Sequence, residues 1–130
     1  MYSCELVRLK NVIKNSYSPY SKFRVASMIF SKNGQCFIGT NIENSSYALT
    51  ICAEAAAIAN AITNGVKKGD ISKVFIYSDT IAEIMPCGAC RQILSEFVDN
   101  NTDIITIGKN EKIIKYKIDQ ILFNCFSLKI

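Results

Sequence analysis

Three cysteines and one glutamate stand at spacings that could build a metal centre. Cys87 and Cys90 lie three residues apart in the run Met85-Pro86-Cys87-Gly88-Ala89-Cys90-Arg91-Gln92. Proline suits the first turn of a helix, where its missing N–H has no partner anyway, so a helix is predicted here with both thiols pointing one way. Cys52 opens a second helical pattern, in Thr50-Ile51-Cys52-Ala53-Glu54-Ala55, that runs through Ile62 and stops at Asn64-Gly65. If the two helix N-termini converge, all three sulfurs can bind one ion. Free N–H groups and the macrodipole at each N-terminus favour negative charge, which lowers thiol pKa values and supplies the thiolates that zinc needs. A zinc ion with three protein ligands keeps a fourth position for water, the mark of a catalytic rather than a closed structural site. Glu54 does not share a helix face with Cys52 at ~100° per residue, but around the open end of a first turn both can reach an ion near the axis. Glu54 therefore reads as a proton carrier.

Other readings compete. Cys87-Gly-Ala-Cys90 by itself fits a structural zinc site, a redox pair or unrelated core thiols. Cys52-Ala-Glu54 at a second helix start, with Pro86 and Arg91-Gln92 in place, favours catalysis. A structural site would want a fourth ligand and would leave Glu54 idle, and the chain has no histidine.

The elements that must hold these residues can be read from pattern. At 130 residues, 49% apolar and 20% charged, the chain reads as one globular domain, 1–130, with a real core. Leu6, Val7, Leu9, Val12 and Ile13 predict an amphipathic helix ending before Pro19. Strands are predicted over Phe23–Lys32 and Gln35–Glu43 around the hairpin signal Asn33-Gly34. The polar segment from Asn41 to Tyr47 then leads into the Cys52 helix, and loops of this kind carry binding residues. Lys73–Asp79 is a short, fully buried strand. A helix from Cys87 through Phe97, strands at Asp103–Ile107 and Ile113–Ile118, and a last helical turn capped by Asp119 complete the chain. The order αββαβαββ implies a mixed α/β sheet with helices on both faces.

Composition excludes other classes. The N-terminus is charged where a signal peptide needs an apolar run, and no stretch is apolar enough to span a bilayer, so a cytoplasmic protein without membrane partners is expected. Without a secretory signal the six cysteines are expected to be free, with Cys4, Cys36 and Cys125 as small buried residues. The net charge of +4 is spread out. Its densest group, Lys109, Lys112, Lys115 and Lys117, is read as protection of an edge strand rather than as a nucleic-acid footprint.

A first ligand, Glu two residues on and a later Pro-Cys-x-x-Cys form the pattern of zinc nucleobase deaminases. With Cys52 as first ligand, Asn41-Ile-Glu43-Asn44-Ser-Ser-Tyr47 upstream and Tyr17-Ser-Pro19-Tyr20-Ser-Lys-Phe23 before it, the chain resembles the small cytidine deaminases, from Tyr17 to Phe126. The resemblance implies a five-stranded α/β/α sandwich, one Zn2+ per subunit on Cys52, Cys87 and Cys90, and hydrolytic deamination of cytidine and deoxycytidine. It implies Glu54 as the proton shuttle, the backbone at Ala53 as a partner of the base and Phe23 as the aromatic against the pyrimidine. Asn41 and Glu43 match residues that bind ribose hydroxyls. Ser45, Tyr47 and Phe126 match residues that complete a neighbouring subunit's site in a homotetramer. For Phe126 burial in its own core remains an alternative.

The chain departs from the family pattern in two places. Ala55 stands where Cys-Ala-Glu-Arg is common, removing a positive charge from beside three thiolates; Arg91 is the candidate compensator, or else an ordinary surface charge. Val25-Ala26-Ser27 replaces Val-Gly-Ala. Two other functions are weighed: a blasticidin-type antibiotic deaminase, against which the Asn41/Glu43 pair argues, and a polynucleotide-editing or RNA-binding protein, for which no basic groove with stacking aromatics is found.

Overall fold

The computed structural model describes every residue from Met1 to Ile130. Its elements are α1 (Ser3–Val12), β1 (Ala26–Ser31), β2 (Cys36–Thr40), α2 (Ala53–Thr63), β3 (Ile71–Tyr77), α3 (Gly88–Phe97), β4 (Asp103–Ile107), β5 (Ile113–Tyr116) and α4 (Ile118–Ile121). The strands form one sheet in the order β2-β1-β3-β4-β5. Only β3 and β4 run parallel, and every other neighbouring pair is antiparallel. The expected order of elements and the expected mixed sheet are both found.

Side-chain alternation along the strands divides the interior into two layers. Ile29, Val74, Ile76 and Ile104 face α2 and α3, with Ala57, Ala61 and Leu94 as partners. Met28, Phe75, Ile105 and Ile107 face the other way onto Leu9 and Ile13 at the end of α1. The β3–β4 crossover carries α3, so the N-terminus of α3 sits past the carboxyl end of β3, where ligands collect in parallel sheets. Helix α2, between β2 and β3, packs on the same face.

Several local expectations are corrected. Strands β1 and β2 stop pairing at Ala26 and Thr40, leaving Phe23–Val25 and Asn41–Glu43 outside them. The cause is the Asn41 side chain, whose Oδ1 accepts the Val25 N–H at 2.9 Å and whose Nδ2 donates to the Phe23 carbonyl at 2.7 Å. Pro86 precedes the cap of α3 instead of entering its first turn. Lys117, not Asp119, occupies the N-cap of α4. Val7 is exposed, pointing away from the Leu9–Ile13 stripe. All six cysteines are free as expected, but Cys4 and Cys125 are exposed and Cys36 half-buried. Cys4 is ~140° around α1 from Leu9, Cys125 follows α4 in the terminal segment, and Cys36 begins an edge strand.

Strand β5 is the other edge of the sheet. Three of the lysines in and around it are engaged within the molecule: Lys112 pairs with Glu83, Lys117 with Asp103, and Lys115 stands over the Tyr2 ring.

Candidate active site

Cys52 and Cys87 are the N-caps of α2 and α3, both with extended backbone. The Cys87 sulfur accepts the Cys90 N–H at 3.4 Å, so one thiol takes the role that Ser or Asp has at most caps. The sulfurs of Cys52, Cys87 and Cys90 all lie within 4.8 Å of one another. Cys52 and Cys87 are 3.7 Å apart, matching the ~3.8 Å edge of a tetrahedron with zinc–sulfur bonds of ~2.3 Å. The trio fits zinc.

Charge supports the same conclusion. The Cys52 thiol is pulled down to about 6, first by a hydrogen bond from Cys90 and further by Cys87, against the effect of burial. Cys90 moves up, because it supplies the shared proton to Cys52 and is buried. A divalent cation bound at the cluster would let thiol protons leave. Glu54 is only 4% exposed. Burial, reinforced by the charge on Cys52, pushes its carboxyl up to about 7.

Hydrogen bonding sets the approach to this centre. Ile42 and Ile51 exchange two backbone hydrogen bonds of 2.9 Å, and the Glu43 N–H donates to the Tyr17 carbonyl at 2.8 Å. Asn41–Glu43 is thereby held between the Tyr17 segment and the residues entering Cys52. A cavity of about 160 Å³ has the three thiols, Glu54, Ala53, Asn41 and Phe23 in its walls. Thr50 also borders a wider cleft of about 450 Å³ that contains Glu43, Ser21 and Tyr47, so the two spaces adjoin.

Sequence reasoning passed over Val25, Thr50, Ile84 and Met85 in the inner cavity and Tyr20, Ser21 and Asn44 in the outer cleft. All except Ile84 belong to the quoted runs; Ile84 carries no signal beyond its position before Met85. Ser45 and Phe126 line neither space. Tyr47 is 77% exposed, and Phe126, at 68%, is not in the core. The Phe126 carbonyl accepts from Gln92 at 3.0 Å.

Residues 5–106 match the family model described as the cytidine and deoxycytidylate deaminase zinc-binding region. The chain belongs to this deaminase family. Among its deaminase relatives are the cytidine deaminases of Mycoplasma pneumoniae, 43% identical over 88% of this chain and 86% of the relative, and of Mycoplasma genitalium, 42% identical over 92% and 90%. The crystal structure of cytidine deaminase from Burkholderia pseudomallei superposes with a TM-score of 0.89 at 29% identity, covering 97% of this chain and all of that one. A blasticidin-S deaminase of Bacillus cereus is also similar, 32% identical over 78% of this chain and 76% of its own.

In this deaminase Ala55 lies in the first turn of α2 and is half-buried. Arg91, next to Cys90, donates to the Pro86 carbonyl at 2.8 Å and the Ile121 carbonyl at 2.9 Å. It forms no ion pair, so its charge is not neutralised by a carboxylate.

Proposed function

We propose that the protein hydrolyses cytidine and deoxycytidine to uridine and deoxyuridine, releasing ammonia, as a step of pyrimidine salvage. The observation that carries this reading is the buried Glu54 carboxyl beside three converging thiols in the wall of a cavity that opens toward Asn41 and Glu43. When bound, zinc supplies Lewis acidity that makes water nucleophilic at neutral pH. Glu54 takes the proton of the attacking water, delivers it to N3 of the pyrimidine and later returns one to the departing amino nitrogen. A carboxyl poised near neutrality can exchange these roles as the reaction proceeds. Phe23 packs on the base, and the backbone at Ala53 hydrogen-bonds it.

Asn41 and Glu43 divide the recognition of a hydroxyl. Both Asn41 acceptor sites are taken, by the Val25 N–H and the Ser16 hydroxyl, and one amide N–H holds Phe23, which leaves a single donor. Glu43 is ionised and can only accept. A sugar hydroxyl accepts from Asn41 while donating to Glu43, a pairing that an aliphatic group cannot reproduce. This favours a nucleoside over the blasticidin type of substrate.

The exposed Tyr47 and Phe126 fit a homotetramer in which Ser45, Tyr47 and Phe126 reach a neighbour's nucleoside. Residues 1–130 act as one domain, with one Zn2+ per subunit, in the cytoplasm and without a nucleic-acid partner. No helix is long and apolar enough to cross a membrane. Ultraviolet assay of the purified protein on cytidine tests the reading: absorbance loss that a chelator abolishes is expected, and no turnover by the zinc-loaded protein would overturn it.

A further inference from the structure

The run Tyr17–Phe23 holds a residue to which the reaction gives no task. Ser21 lies in the outer cleft beside Glu43. Its N–H and that of Tyr20 both donate to Glu43 Oε1, at 3.2 and 3.0 Å. Its hydroxyl oxygen accepts the Phe23 N–H at 3.0 Å, a short turn that a serine side chain can close onto its own backbone two residues on. The turn encloses Lys22 at φ 58°, a left-handed conformation that non-glycine residues adopt only at a cost. A second clasp, from the Lys22 N–H to the Ser18 carbonyl at 3.0 Å, holds the same loop.

A serine hydroxyl has one proton to donate and lone pairs to accept with. The hydroxyl oxygen of Ser21 holds Phe23, and its N–H holds the Glu43 carboxylate. Ser21 is the foremost reason that Glu43 is held below the usual carboxylate range, with the Tyr20 N–H contributing as well. Ser21 thus touches both the backbone that carries the Phe23 ring, in the wall of the inner cavity, and the carboxylate of the outer cleft.

We propose that Ser21 is a positioning residue that couples the two halves of the site, setting the Phe23 ring and the Glu43 carboxylate relative to each other through its hydroxyl on the Phe23 N–H and its own N–H on Glu43. The inference rests on the nucleoside reading above and assigns no chemistry to Ser21 itself. Its loss should weaken ground-state binding and leave the proton transfers of Glu54 intact.

The test compares Ser21→Ala and Ser21→Thr in the zinc-loaded protein by steady-state kinetics on cytidine and by amide hydrogen exchange at Phe23. Ser21→Ala should raise KM about fivefold, the usual effect of deleting one neutral hydrogen bond, with kcat within about twofold. Exchange at Phe23 should quicken at least about tenfold in the same variant. Ser21→Thr, which restores a hydroxyl, should bring both back, and Ser18→Ala, whose hydroxyl meets only Ser16, should change neither. An unchanged KM, or a parallel loss of kcat and thermal stability that threonine does not restore, overturns the proposal. A wild type inactive on cytidine defeats the nucleoside reading instead. Phe23 exchange still decides the hydroxyl link in that case, and exchange unaffected by Ser21→Ala refutes it.

Discussion

Gly39 of β2 lies so close to Ala57 of α2 that a Cβ added to Gly39 would stand 2.4 Å from the Ala57 amide nitrogen. It would also come within 2.7 Å of the Ala53 carbonyl oxygen. Strand and helix touch backbone to backbone here, and the small residues of α2 permit it. Because Cys52 caps α2 and Glu54 lies in its first turn, this contact sets the height of both residues above the sheet.

Gly39→Ala should therefore injure fold and function together. Overpacking of this kind costs ~1–3 kcal/mol, and relief by moving α2 shifts Cys52 and Glu54 away from Cys87 and Cys90. Urea denaturation should show a lowered midpoint, and kcat should fall at full zinc loading. A variant with wild-type midpoint and turnover would show that α2 is not seated by this contact.

Glu54→Gln should retain zinc and fold while kcat drops at least ~10²-fold, since a positioned proton carrier contributes that much or more. Metal analysis and single-turnover assays check it. Near-normal turnover would remove Glu54 from the mechanism.

The absence of a guanidinium at Ala55 leaves the thiolate cluster more negative, and negative charge holds protons on nearby groups. Ala55→Arg should move the acid limb of kcat/KM to lower pH, by less than about two units, because solvent and the two helix N-termini screen the interaction. Arg91→Ala should move it upward or weaken zinc binding. It should also loosen the terminal segment, because the same guanidinium bonds the carbonyls of Pro86 and Ile121. A pH–rate profile for each variant, with zinc content measured, decides the matter; two unshifted limbs would sink the electrostatic argument.

Asp103 and Lys117 join β4 to the start of α4 at 2.7 Å, and this hydrogen bond is the main reason the Asp103 carboxyl is held below its ordinary value. A depressed carboxyl favours the folded state above its unfolded pKa of ~3.9. That stability is lost as pH falls through the lower folded value. Lys117→Met should lower stability by the same small amount at every pH above about 4, small because the pair is largely exposed, and leave it unchanged in stronger acid, so that the acid side of a stability–pH curve flattens. An acid slope unchanged from wild type would exclude the pair as its source.

Phe126→Ala should raise KM for cytidine severalfold and leave monomer folding intact, because Phe126 is exposed and contributes nothing to the core. Light scattering alongside the assay is needed. An active monomer with unaltered KM would confine Phe126 to the surface of its own chain.

Local pattern was enough for much of this protein. Alternation and turn signals specify the strands, the Asn33-Gly34 hairpin and the order of elements, because side-chain burial follows periods of about two and 3.6 residues. The spacing of Cys52, Glu54, Cys87 and Cys90 carries the chemistry, since ligand type and number define what an ion can do. Tertiary structure alone decided the rest. That Cys52 and Cys87 are caps, with sulfurs 3.7 Å apart, depends on two helices docking on one sheet face, a relation between segments that no local window contains. The Glu54 shift to about 7 arises from burial by the whole fold. Asn41 ends two strands through side-chain bonds to Phe23 and Val25, 16 to 18 residues away, where periodicity had extended both. The exposure of Cys4, Cys125 and Phe126 followed from which surface each segment met, and an apolar side chain does not by itself specify a partner.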